Sequence, residues 1–185
     1  MTEDIRLRRL LLKGLAAAPV ALSLYTPASA RAAKPRSLDF YHTHTDERLR
    51  IVYFDDGQYV PDALAQVNHL LRDFRTGESY RMDPRLLDTL HRVCSACGVG
   101  TFEIISGYRS SRTNDMLRER GGGGVAKRSM HMEGRAIDVR LSGRDTGQVR
   151  NAAIALGQGG VGYYPKSDFV HLDTGRPRTW GPVPA

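Results

Sequence analysis

The chain is poor in cysteine: Cys94 and Cys97 are the only two among its 185 residues. They stand as Cys94-Ser95-Ala96-Cys97, and with no second such pair a four-thiolate zinc site cannot be assembled. A redox motif would set its first cysteine at the opening of a helix, whereas this pair falls at the close of one. The expectation is two small buried residues, or a local disulfide in an oxidising compartment, with no catalytic part. Long apolar runs are also missing. The best candidate, Gly14 to Leu24, is well short of the roughly 20 residues that a membrane span needs. There are no internal repeats. Arg176, Arg178 and Trp180 form a basic-aromatic tail too short to be the extended patch that holds nucleic acid. A packed tail or a surface contact fits it better, and nucleic acid is not an expected partner.

What is present points to one compact domain with an extra segment. Hydrophobic residues make up 41%, enough for a core, while 19 glycines and nine prolines favour a loop-rich architecture over a helical bundle. The net charge of +7 fits an anionic partner such as nucleic acid, anionic lipid or an acidic wall polymer, and equally a solvated basic surface.

The first 30 residues read as an export signal: a basic start (Arg6, Arg8, Arg9, Lys13), the apolar stretch, then Ala28-Ser29-Ala30 as a small-x-small cleavage site. Arg8-Arg9 before Leu10-Leu11-Leu12-Lys13 resembles the twin-arginine type, with the Sec route as the alternative. Residues 31–36 follow as a linker and 37–185 as the functional domain. This places the mature protein in the periplasm or cell envelope, with no stable membrane span after cleavage.

Strands are expected over Leu38–Thr43 and Leu49–Phe54, ending at the turn Asp55-Asp56-Gly57. Apolar residues at 64, 67, 70, 71 and 74 predict a helix over Pro61–Arg75. Asp83-Pro84 opens another that stops before Gly98. Thr101–Ser106 is a short strand and Ser111–Arg120 a helix, ended by the mobile run Gly121–Gly124. Ala136–Leu141 is a strand, Asp145–Leu156 a helix, and Val161–Tyr164 with Phe169–Leu172 a strand pair. The class is α+β, a small, mainly antiparallel sheet with flanking helices.

Two blocks carry chemistry. In Ser129-Met130-His131-Met132-Glu133-Gly134-Arg135-Ala136-Ile137-Asp138, His131 precedes a turn that Gly134 permits, and Asp138 lies on the strand after it. In Ser167-Asp168-Phe169-Val170-His171-Leu172-Asp173, alternation sets His171 opposite to Val170 and Leu172. A strand paired beside the first would bring His171 against Asp138. His131, Asp138 and His171 would then hold one zinc ion and leave a fourth position open, the arrangement of a catalytic zinc site. His42 and His44 share a strand face but have no evident third ligand, and they read as structural.

The pattern Ser-x-His-x-x-Gly-x-Ala-x-Asp, followed by a late histidine, resembles the zinc D-Ala-D-Ala peptidases, a fold group shared with lysostaphin-type enzymes and the Hedgehog domain. Three further stretches are similar to the murein endopeptidase K branch: Ile105-Ser106-Gly107-Tyr108-Arg109-Ser110, Gly159-Gly160-Val161-Gly162-Tyr163-Tyr164-Pro165 and His171-Leu172-Asp173-Thr174-Gly175. The resemblance spans about residues 37–181. It implies a zinc endopeptidase cutting peptidoglycan peptide stems at diaminopimelate–diaminopimelate links, in wall remodelling; a monomer is expected. It implies the same three zinc ligands, and Arg109 as the group that steadies the oxyanion or holds a substrate carboxylate. The proton acceptor is divided between Asp168, three residues before His171, and Asp173, on the face of the ligand. Asp173 has a second reading, as a residue that orients a histidine. Ser129 and Tyr163 are candidate substrate contacts. A D-Ala-D-Ala carboxypeptidase with the same zinc site, or a non-catalytic wall-binding module that retains the metal, is the alternative.

Overall fold

The computed structural model describes residues 34–98, 100–120 and 125–182. The expected export signal, residues 1–30, and the glycine run 121–124 lie outside the described residues.

Among the described residues, eight strands form one sheet in the order β3-β2-β1-β4-β5-β7-β6-β8. The chain opens with β1 (Arg36–His42), whose first residue falls inside the expected linker, and β2 (Arg48–Asp55), paired antiparallel to it. The two-residue β3 (Gln58–Tyr59) leads into α1 (Pro61–Leu70) and then α2 (Pro84–Cys97). Next come β4 (Phe102–Ser106), α3 (Ser111–Glu119), β5 (Ala136–Leu141) and α4 (Thr146–Leu156). The chain ends in β6 (Gly160–Tyr164), β7 (Phe169–Asp173) and β8 (Arg178–Trp180). Only β1/β4 and β6/β8 run parallel, so the expected α+β class with a mainly antiparallel sheet holds.

One sheet face makes the core. Phe102 pairs with Leu141, Ile104 with Val139, and Val139 with Val170; all are buried. The apolar stripe of α2 (Leu86, Leu87, Leu90, Val93) is buried in the same cluster, with Val149 and Ala153 of α4. Each fully buried aliphatic side chain contributes about 1.5–3 kcal/mol. The period of two then turns Asp138 and His171 to the opposite face, register pairs Asp138 with His171, and a bulge between Ile104 and Ser106 sets Ser106 opposite Asp138.

Caps fix where the helices start. Asp83 accepts the Arg85 backbone N–H ahead of Pro84, and Asp145 accepts those of Gly147 and Gln148. The first helix ends at Leu70, short of the expected Arg75. Past it the chain turns at Asp73, whose carboxylate accepts the Arg75 N–H at 3.0 Å. Leu71 stays buried and Phe74 stacks on His44 at 4.0 Å, so the apolar spacing runs on through a turn. The strand β8 is absent from the sequence reading; the basic-aromatic tail packs as a sheet edge. Cys94 and Cys97 are free thiols.

Candidate metal centre

His131 sits in a short 3-10 turn, Met130–Glu133, just before β5. Ser129 caps that turn through its hydroxyl, and Gly134 closes it at φ 65°. The left-handed conformation favours glycine, and a Cβ there would also run into the Arg81 carbonyl. The turn delivers the imidazole to the pair already aligned across β5 and β7. His131 Nε2 lies 3.2 Å from His171 Nδ1 and 3.3 Å from Asp138 Oδ1. His171 Nδ1 lies 2.8 Å from Asp138 Oδ1. Donor atoms about 2.0–2.1 Å from a tetrahedral ion stand roughly 3.3 Å apart, so the spacing suits a metal. These three residues are the one such group among the described residues.

Tautomers sharpen the fit. His131 Nδ1 is 2.7 Å from the Gly107 carbonyl, which only accepts, so that nitrogen carries the proton and Nε2 of the neutral ring offers a lone pair. His171 Nε2 is 3.1 Å from Asp173 Oδ2, so it donates there and leaves Nδ1 as the nitrogen that faces Asp138 and His131. With His171 neutral, two imidazole lone pairs and a carboxylate oxygen converge on a metal ion; with no ion bound, a proton on His171 Nδ1 bridges it to Asp138 Oδ1 at 2.8 Å. Burial works against charge on His171, yet its hydrogen bonds to Asp138 and Asp173 outweigh this and raise its pKa to about 9. Burial lowers that of His131. Burial alone would raise Asp138, but the two histidines hold it well below the usual carboxylate range.

The cluster opens into a cleft of about 500 Å³. Arg109, Arg128 and Ser129 line it, as do Tyr164, Phe169 and Trp180. The Arg109 backbone donates to the His131 carbonyl at 3.2 Å, and its Nη2 lies 3.8 Å from Asp138 Oδ2. Arg109 Nε is buried with no protein partner among the described residues. The segment after β4 is tied down by Asp73, which accepts the Ser110 N–H at 2.9 Å and its hydroxyl at 2.7 Å.

Of the expected site residues, His131, Asp138, His171, Asp173, Arg109 and Ser129 are brought together. Asp168 is not on the cleft wall. Its carboxylate accepts from Thr146 Oγ1 at 3.1 Å and Arg140 Nη1 at 3.4 Å, at the start of α4. Tyr163 is buried in the core opposite Val170; its neighbour Tyr164 faces the cleft. Alternation from His171, carried across to β6, holds that signal. Trp180 and Arg178 arrive through β8, which the sequence reading did not contain. Arg128 had no motif to mark it.

Sequence comparison agrees with this geometry. The sequence model described as "Peptidoglycan L,D-endopeptidase MepK" matches residues 30–180. The chain is 42% identical over 180 residues to the Escherichia coli (strain K12) protein of that name, covering 96% of this chain and 98% of the relative. The Shigella flexneri protein of the same name matches to the same extent. A match that takes in both ligand-bearing blocks and the whole sheet means that this chain belongs to the MepK peptidoglycan L,D-endopeptidase family.

Proposed function

We propose that the protein is a zinc-dependent endopeptidase that hydrolyses peptide cross-links of peptidoglycan, at diaminopimelate–diaminopimelate links. The observation that carries this reading is the convergence of two imidazole nitrogens and a buried carboxylate at the floor of a cleft. The family's name supports the substrate, and the His/Asp/His donor set supports zinc.

In this reading His131 Nε2, Asp138 Oδ1 and His171 Nδ1 hold the ion. A zinc ion so held supplies Lewis acidity, polarising a scissile carbonyl and making water nucleophilic near neutral pH. Arg109 has donors left over beside Asp138, and it neutralises the oxyanion that forms as the amide is attacked. Arg128 adds positive charge to the wall, suited to the free carboxylates of stem peptides. Tyr164, Phe169 and Trp180 give an apolar wall for the aliphatic chain of diaminopimelate. Ser129 shapes the His131 turn and meets substrate at the rim. Asp173 orients His171, and Asp168 braces the start of α4.

Residues 1–30 act as the export signal, ahead of a linker at 31–36 and the peptidase domain from residue 37; a family match that leaves out residues 1–29 supports this division. No helix of the described residues is long and apolar enough to cross a membrane. The N-terminal sequence of protein recovered from the envelope tests this; a start at Met1 would refute cleavage.

The deciding experiment incubates zinc-loaded protein with purified murein fragments and reads the products by mass. Loss of diaminopimelate–diaminopimelate dimers is the expected result. Release of D-Ala from uncross-linked stems would instead make it a carboxypeptidase, and no cleavage by zinc-loaded protein would make it a binding module.

A further inference from the structure

We propose that Arg178 is a positioning residue for the metal centre: its guanidinium locks Asp173, and Asp173 fixes the His171 ring with Nδ1 toward the ion. The inference rests on the metal-site reading above.

The Asp173 side chain is fully buried, while that of Arg178 is 36% exposed. Arg178 grips the carboxylate with both arms, Nη1 to Oδ1 at 3.0 Å and Nη2 to Oδ2 at 2.7 Å. Such a fork fixes the plane of a carboxylate as well as its charge. The Gly160 and Gly175 N–H groups complete Oδ1 at 3.0 and 2.8 Å. Oδ2 then has one remaining neighbour, His171 Nε2 at 3.1 Å.

The backbone is built around this clamp. Parallel pairing of β8 with β6 sets Arg178 beside Gly160. A Cβ at Gly160 would collide with both the Asp173 carboxylate and the Arg178 guanidinium, and one at Gly175 would stand 2.9 Å from Asp173 Oδ1. Both flanking positions therefore leave room for the clamp that any other residue would fill.

The clamp settles a competition between tautomers. The form of His171 that binds an ion is neutral and has one N–H, and the ring has a carboxylate at each nitrogen: Asp138 beside Nδ1 at 2.8 Å and Asp173 beside Nε2 at 3.1 Å. If the proton moved to Nδ1, it would bond to Asp138 and remove the lone pair that faces the ion. Asp173 favours Nε2–H only while its Oδ2 stays aimed there. Arg178 is the one side chain among the described residues, besides His171, that holds that oxygen. Groups of this kind behind a ligating histidine set about 10–100-fold of metal affinity.

The test compares wild type with Arg178→Ala and Arg178→Lys, by chelator competition for zinc and by NMR of the His171 ring in zinc-loaded protein. The expected result is a protected Nε2–H in wild type. Arg178→Ala should lose that protection and bind zinc roughly 10–100-fold more weakly. Lysine keeps the charge without the fork, and should restore only part of both. Zinc affinity within twofold of wild type, with Nε2–H still protected in Arg178→Ala, would overturn the proposal. Should Arg178→Ala fail to fold, Gly160→Ala forces the clamp apart with both charges kept, and is judged by the same two readouts. Wild-type protein that binds zinc with Nε2–H protected yet leaves murein uncut would count against the peptidase reading and leave this inference standing.

Discussion

Asp138 and His171 face each other across β5 and β7, with Oδ1 and Nδ1 2.8 Å apart. Strand register alone makes this pair, since opposite residues on neighbouring antiparallel strands point the same way from the sheet. The third donor, His131, comes from outside the sheet on a turn that Ser129 starts and Gly134 stops. Two of the three ligands are thus built into paired strands of the sheet, and the third depends on a four-residue turn.

Each ligand should be indispensable for metal. His131→Ala, Asp138→Ala and His171→Ala are expected to weaken zinc binding more than the roughly 10–100-fold typical of residues behind a ligand, and to abolish murein cleavage. Zinc analysis after dialysis checks this; a variant that keeps one equivalent of zinc would remove that residue from the ligand set. Chelation of wild type should lower its melting temperature, since a ligand at 100 times its Kd stabilises by about 2.7 kcal/mol.

The two carboxylates once paired as proton acceptors should separate cleanly. Asp173 is saturated by donors and touches His171, so Asp173→Ala should lose zinc and activity together. Asp168 is exposed, and it is bonded to Thr146 and Arg140 away from the cleft. Asp168→Ala should keep zinc and stay within a few fold of wild-type turnover. A fall of more than about 100-fold in kcat, the scale of a lost general base, would return Asp168 to the chemistry.

The ligand set was legible in the sequence because it follows from two local regularities. The period of two on β7 set His171 opposite to Val170 and Leu172, and Gly134, three residues after His131, marked a turn. The cleft walls were less legible. Tyr163 and Tyr164 are neighbours of one type on one strand, and only the pairing of Tyr163 with the core residue Val170 tells them apart. That pairing is a long-range fact. The edge strand β8 has three residues and is held by backbone pairing to β6, so its sequence carries almost no strand signal, and Arg178 and Trp180 went unplaced with it. The end of α1 was missed for a related reason. Leu71 and Phe74 keep the apolar spacing, but Asp73 between them turns the chain.

Arg109 should act on turnover rather than on metal. It lines the cleft, and its donors are incompletely used by protein groups. Arg109→Ala is expected to lower kcat by about 10²–10³-fold, the scale for losing an oxyanion donor, with zinc content unchanged. Full turnover in that variant would reduce Arg109 to a partner of Asp138.

Asp73 should show itself through pH. It is 2% exposed and fixes Ser110, the residue after Arg109 and the cap of α3. Burial alone would raise its pKa, but hydrogen bonds from Thr113, Ser110 and the Arg75 backbone outweigh this and lower it. A carboxyl depressed in the folded state contributes stability that is fully present above its unfolded pKa of about 3.9, and loses it as pH falls through the lower folded value. Asp73→Asn turns an acceptor into an amide facing donors, a cost of about 1–3 kcal/mol at neutral pH. The melting-temperature gap between wild type and Asp73→Asn should therefore be constant from pH 7 to about 5 and shrink below about 4. Taking the difference between the two proteins cancels the other acids, Asp138 and Asp173 included, which titrate in both. A gap that stays the same from pH 7 to 3 would mean that the Asp73 charge does not hold the turn. Kinetics give an independent check, because a loosened Ser110 displaces Arg109: Asp73→Asn should lower kcat several-fold at pH 7 while zinc affinity holds.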